Sequence, residues 1–228
     1  MANTLSRSRL DRSRPMRDQI YPLVRRMILT GKIKPGDVID EKAIAAQLNV
    51  SRTPVREAVK KLSDENLVEV IAQSGTRAAR IDRDEIAEAF LIRRALEMES
   101  AAQAADNLGD GDIHRLEDIL MLHARAIERK TYVEAIEQDD LFHRTIAEIS
   151  GLKRLWRAIE ISKAQLDRCR HLMVPREGQA DATLIQHRNI VEALKKRNSD
   201  LARAAMREHL EAAYRSTIAV LDGPGLGI

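Results

Sequence analysis

From Asp82 to Leu221 the apolar residues recur at helical spacing, and only short breaks interrupt them. These are Asn107-Leu108-Gly109-Asp110-Gly111, Ser150-Gly151, a loop around Pro175 and Gly178, and Asn198-Ser199-Asp200. The punctuation predicts six helices, at about 84–107, 112–130, 132–149, 152–173, 182–197 and 199–221. Connections this short make consecutive helices run antiparallel, so the stretch predicts an antiparallel six-helix bundle. A chain of 228 residues leaves room for a second, smaller domain in front of it.

That front part reads differently. Residues 1–15 are polar and Arg-rich without periodicity, which predicts a mobile basic arm. Ile20, Leu23, Val24, Met27 and Ile28 mark a first helix over 16–30, stopped by Gly31 and Pro35-Gly36. Asp40 is placed to cap a short helix from Glu41 to Leu48, and Asn49 to close it. Ser51 or Thr53 caps a third helix with Pro54 in its first turn and Val55, Ala58, Val59 and Leu62 as its buried stripe. Leu67–Ile71 and Thr76–Ile81 form a hairpin around Gln73-Ser74-Gly75. Two short helices across a tight turn, then a hairpin, is the order of a winged helix-turn-helix. The fold class is therefore mainly α: an arm at 1–15, a winged helix-turn-helix at 16–81, a helical domain at 82–222 and a tail at 223–228.

Charge separates the same two parts. The net +3 conceals 16 Lys/Arg against 9 Asp/Glu in residues 1–80, and 22 against 26 in the remainder, or +7 and −4. A basic head on an acidic body points to a polyanion partner for the head alone. Six aromatic residues in all offer few platforms for stacking unpaired bases, so the expected partner is duplex DNA. No apolar run approaches membrane-span length, and no apolar stretch follows the arginines to make a secretory signal. The single cysteine, Cys169, excludes an internal disulfide framework. A cytoplasmic protein with no membrane partner is expected.

Ser51-Arg52-Thr53-Pro54-Val55-Arg56 puts two arginines, two hydroxyls and free backbone amides at a helix N-terminus, where phosphates and base edges are met. Arg52 and Arg56 are four apart, on one face, and either could donate two hydrogen bonds to a guanine. The alternative is a pair of solvated helix charges. The run from Glu41 to Ala58, with "SRTPVREA" at its core, resembles the signature of the GntR family of bacterial transcription regulators. The resemblance implies that Arg52 and Arg56 read bases, that Ser51 and Thr53 contact phosphate, and that Gly75 forms the wing tip. Lys42 stands where the family often has Arg, and Ser74 precedes Gly75 where Arg is frequent, so contacts from both positions are expected to differ.

The histidines raise a second question. Asp139 and His143 are four apart on one predicted helix. His187 lies eleven residues before Asn198 and His209 eleven after, so on two helices folded back at that turn they stand at equal height, roughly 16 Å along at ~1.5 Å per residue. A carboxylate and three imidazoles on three helices could bind Zn²⁺, Ni²⁺ or a similar divalent ion, or could simply be hydrogen-bonded in a core. His114, His123 and His171 lack partners at ligand spacing and read as surface or helix-end residues, and Asp140 as solvent-facing. Asp139-Asp140-Leu141-Phe142-His143, Gln186-His187-Arg188 and Met206-Arg207-Glu208-His209-Leu210 resemble the metal-site pattern of the FCD effector domain, found in the FadR branch of the GntR family. Arg93-Arg94-Ala95-Leu96-Glu97 is similar to that domain's opening helix, and the six-helix count resembles the shorter, VanR-type subgroup. The resemblance implies that Asp139, His143, His187 and His209 bind the metal and that a carboxylate effector completes its coordination. Arg93 either steadies the effector's other oxygens or pairs with Glu97.

These readings predict a metabolite-responsive regulator, with repression relieved by ligand as the sign the family resemblance implies. A homodimer reads an inverted-repeat operator, and a small organic acid in the bundle alters the spacing of its heads. A metal-dependent hydrolase with a basic appendage, and a regulator sensing the metal itself, are the alternatives. Neither H-E-x-x-H nor G-x-S-x-G occurs in the chain.

Overall fold

The computed structural model describes residues 10–11, 13–72 and 75–223. Most of the expected arm (1–9 and 12), the wing residues Gln73 and Ser74, and residues 224–228 of the tail lie outside the described residues. The chain divides into two compact units between Asp82 and Arg83.

The first unit contains α1 (Met16–Leu29), α2 (Glu41–Leu48) and α3 (Arg52–Asp64), followed by β1 (Val68–Ile71) and β2 (Gly75–Ala78). Helix α1 buries Ile20, Val24, Ile28 and Leu29 and packs on α3. Its other tie is Glu65, just past α3, which accepts from the Tyr21 hydroxyl and, at 3.1 Å, from Arg25 Nε. The described end of the arm is held as well: Asp11 and Gln19 exchange two hydrogen bonds of 2.7 Å. Helix α2 starts where the Asp40 carboxylate accepts the backbone N–H groups of Lys42 and Ala43, both at 2.9 Å. It stops at Asn49, whose φ of +53° is left-handed, a conformation asparagine tolerates better than most residues. That residue turns the chain into α3, which buries Val55, Ala58, Val59 and Leu62. The two strands pair antiparallel, with Val68 opposite Ala78 and Ile71 opposite Gly75.

The second unit is entirely helical: α4 (Arg83–Asn107), α5 (Asp112–Glu128), α6 (Tyr132–Ile149), α7 (Leu155–Ser162), α8 (Ala164–Met173), α9 (Gln179–Lys195) and α10 (Ser199–Leu221). Ala101, Ala104 and Ala105 are buried on α4, and α10 is the helix packed most extensively against it. Leu116, Phe142, Ile146, Ile190, Leu194 and Met206 fill the core with essentially no exposure.

The segment expected as one helix over 152–173 is two, so the unit has seven described helices instead of six. The break falls at Lys163, where ψ is near zero and the side chain is buried, its ammonium 2.8 Å from Asp140 and 2.9 Å from Asp167. No Gly or Pro marks this break, and apolar spacing runs through it unchanged. Helix number therefore does not assign the chain to the six-helix subgroup. Among the described residues, no helix is long and apolar enough to cross a membrane.

Candidate functional site

The head presents the residues singled out for DNA on one connected stretch. Ser51 is the N-cap of α3 but makes no side-chain capping bond. Ser51, Arg52, Thr53 and Arg56 are all exposed, as is Lys42 in the first turn of α2. Arg56 Nε lies 3.8 Å from Glu41 Oε2, a loose contact on a side chain that is 70% exposed. Glu41 also accepts from the Thr76 hydroxyl at 3.1 Å, which joins α2 to the hairpin. Gly75, with φ of +88° and open space where a Cβ would sit, begins β2. The α3 N-terminus thus offers uncommitted hydroxyls, backbone amides and guanidinium groups.

In the second unit four side chains converge. Asp139 and His143 come from α6, His187 from α9 and His209 from α10, and one potential ligand atom from each lies within 4.8 Å of all the others. All four are buried. His143 and His209 face each other with their Nε2 atoms 3.2 Å apart, and His187 Nε2 is 3.5 Å from Asp139 Oδ1. Phe142 stacks on His187 at 4.2 Å and fixes the plane of that ring.

Groups behind the rings set which nitrogens carry protons. Gln186 Oε1 lies 2.9 Å from His209 Nδ1, and an amide oxygen only accepts, so Nδ1 is the protonated nitrogen. Glu97 Oε2 lies 2.5 Å from His143 Nδ1, outside hydrogen-bond geometry, so the carboxylate favours a proton on that nitrogen by charge. The two Nε2 atoms lie 3.2 Å apart, close enough to share one hydrogen bond or, with both protons on the Nδ1 side, to offer two lone pairs to one cation. His187 is wholly buried with neither ring nitrogen hydrogen-bonded. These donors fit a divalent ion of the zinc or nickel type, whose bonds to imidazole and carboxylate run about 2.0–2.2 Å.

Electrostatics keep the cluster in ligand form. Burial pushes His187 well below the usual imidazole range, with the neighbouring His209 adding to it. Burial, then His143, lowers His209 to about 3. Burial, the largest single influence, opposes ionisation of Asp139, but Arg170 and the neighbouring histidines together outweigh it and hold the carboxyl well below its ordinary value. Glu97 is likewise held down by Arg93 and His143 against burial.

The cluster borders a cavity of about 40 Å³. Asp139, His209, Arg93, His123 and Arg170 make its polar end. The rest of its lining is mainly apolar, from Phe90, Leu210 and Ala213 and from Ala135, Ile136, Leu166 and Met173, with the hydroxyl-bearing Thr183, Tyr214 and Thr217 among them. Arg93 donates from Nε to Glu97 Oε1 at 2.6 Å, so Glu97 links Arg93 to His143. Both readings of Arg93 thus have a basis: it pairs with Glu97 and it lines the cavity.

Two expectations are corrected here. His123 is 3% exposed, lines the cavity, and has its ring 5.6 Å from that of His187. It reaches the cluster from α5, a helix whose register against α9 no spacing rule supplied. Asp140 does not face solvent freely: it accepts from Lys163 at 2.8 Å and from Arg170 at 2.7 Å, because α8 crosses over it. Arg170 also donates to Asp139 and, at 3.1 Å, to Asp167. Sequence reasoning missed Arg170, Lys163 and Asp167, and a run of charges in a helix buried from 163 to 170 was the available signal. It also missed Gln186, although that residue adjoins His187. His114 is exposed, as expected.

Together the two units define a class: a winged-helix DNA-binding head joined in one chain to a helical domain with a buried cluster suited to a ligand. Residues 16–77 match the model of bacterial regulatory proteins of the gntR family, and residues 85–212 match the FCD domain. The chain belongs to the GntR family of transcriptional regulators, in the branch that carries an FCD domain. It is 34% identical over 209 residues to the HTH-type transcriptional repressor RspR of Escherichia coli (strain K12), covering 92% of each chain. It is 30% identical over 214 residues to a probable D-xylose utilization operon transcriptional repressor of Paenarthrobacter nicotinovorans, covering 90% of this chain and 89% of that one. Its fold is similar to that of the solved structure of E. coli McbR/YncC, at a TM-score of 0.79 and 22% identity over 91% of this chain and 99% of that one. The hydrolase alternative gives way, since the family and these relatives are transcriptional regulators.

Proposed function

We propose that this chain is a metal-loaded, acid-responsive repressor. As a homodimer it holds an inverted-repeat operator through Arg52 and Arg56, with Lys42, Ser51, Thr53 and Gly75 at the backbone, and a small organic acid bound in the helical unit alters its affinity. The observation that carries the ligand half is the convergence of Asp139, His143, His187 and His209, buried, with one potential ligand atom from each within 4.8 Å of the others and neither His187 nitrogen hydrogen-bonded. Asp139, His143, His187 and His209 would hold the ion, which supplies a Lewis-acidic point for one carboxylate oxygen. Glu97 and Gln186 orient two of the imidazoles, and Arg93 offers donors to the acid's other oxygen. The repressor sign rests on the names of RspR and the xylose-operon relative. Regulation requires two states of different operator affinity, and the acid shifts them only by binding one better than the other.

The test combines metal analysis with operator binding. His187→Ala should lose the metal and the response to acid while retaining metal-free DNA binding. Unchanged metal stoichiometry in that variant would overturn the site. A wild-type response to zinc or nickel alone, without added acid, would make this a metal sensor instead.

A further inference from the structure

We infer that the cavity takes a compact monocarboxylate with an apolar body, and not a polyhydroxy acid or a dicarboxylate. This rests on the reading that the helical unit binds an acid, and narrows the acid to a class.

Charge capacity speaks for one carboxylate. Of the two guanidinium groups on the cavity, Arg170 already serves Asp139, Asp140 and Asp167. Arg93 has one contact to Glu97, through Nε, and a guanidinium carries five N–H donors. His123 adds a ring that is almost wholly buried, with Nδ1 lacking any hydrogen-bond partner. Arg93 and His123 can therefore serve, with the proposed ion, the two oxygens of one carboxylate beside the cluster, while a second carboxylate farther along the cavity would find Arg170 already taken.

The walls speak for an apolar body. Away from the polar end, two of the hydroxyls on the cavity belong to Thr183 and Thr217, and both donate to their own helix, to the carbonyls of Gln179 and Ala213 at 3.1 and 2.9 Å. The Tyr214 ring lies flat on Phe90, with centroids 4.1 Å apart. Only the Thr183, Thr217 and Tyr214 oxygens could accept from a ligand hydroxyl here, so one hydroxyl could be served, while others facing Ala135, Ile136, Leu166 or Met173 would give up their water without replacement. A cavity of about 40 Å³ has room for about three waters, which favours a compact acid over a bulky one.

Four size-matched probes separate the classes on the zinc-loaded full chain: isovalerate, glycerate, malonate and isovaleramide, with affinity read by calorimetry and zinc content measured alongside. Isovalerate should bind, glycerate and malonate roughly tenfold or more weakly, and the uncharged amide not detectably. His123→Phe should weaken isovalerate by about tenfold with zinc content unchanged. Glycerate or malonate binding as tightly as isovalerate would overturn this inference and leave the acid-responsive reading standing. No binding by any of the acids, or equal binding by the amide, would overturn both. An unaltered isovalerate affinity in the His123 variant would remove His123 from the recognition.

Discussion

His143 and His209 point the same ring nitrogen at each other, with Gln186 hydrogen-bonded to the opposite nitrogen of His209 and the Glu97 carboxylate 2.5 Å from that of His143. Removing either partner frees a tautomer, so under the proposed metal site Glu97→Gln should weaken binding of a divalent ion by about 10–100-fold, measured by competition with a chelator. The same affinity in the variant would mean that packing alone orients His143. On the head, Arg52→Ala or Arg56→Ala should each cost roughly 1–3 kcal/mol on the cognate operator, measured by titration of specific and random duplexes. An equal loss on random DNA would assign the arginine to phosphate. At this scale the cluster itself was legible: the four-residue step from Asp139 to His143 and the mirrored distances of His187 and His209 from Asn198 are properties of regular helices. His123 and Arg170 were not, because they arrive from α5 and α8, and no turn relates those helices to the cluster by counting.

Among the elements, boundaries set by local chemistry were readable in advance. Asp40 caps α2 and left-handed Asn49 ends it, both as their residue types suggest. Asp40→Ala should cost about 1 kcal/mol of stability in denaturant titration. A neutral result would mean that solvent serves the two amides as well as the carboxylate does. The α7/α8 break was not readable, because its cause is tertiary: Lys163 is drawn between Asp140 on α6 and Asp167 on α8. Lys163→Met leaves Asp167 and Asp140 with Arg170 as their remaining counter-charge, and a loss of about 1–3 kcal/mol is expected by the same measurement. The alanines of α4 form a third kind of element-level constraint. Ala104 has no exposure, so Ala104→Leu should destabilise by ~1–3 kcal/mol as helices are forced apart.

For the whole molecule, charge partition and domain order were plain from composition and punctuation, whereas the pH behaviour depends on burial. His187, His209 and His123 all have folded-state values below the ordinary 6.5, in each case chiefly through burial. Below about pH 6.5 the unfolded chain therefore binds protons that the folded chain refuses, and stability falls with pH. Asp139 and Glu97, also lowered, add to the loss only below the ordinary carboxylate range. In chelator, denaturant midpoints should drop steadily from pH 7 to 5, by up to ~1.4 kcal/mol per pH unit for each histidine. A flat profile would contradict neutral burial of the three rings. The cavity carries a consequence in time. Most of its lining is buried, and Phe90, Val174, Thr183, Ala213 and Tyr214 are its half-buried members, so the way in lies past them. An acid that enters only when this rim parts has an association rate that levels off at the rim's opening rate, and it departs no faster than the rim reopens. Such a regulator averages: it reports the acid's concentration over its own residence time and passes over briefer fluctuations.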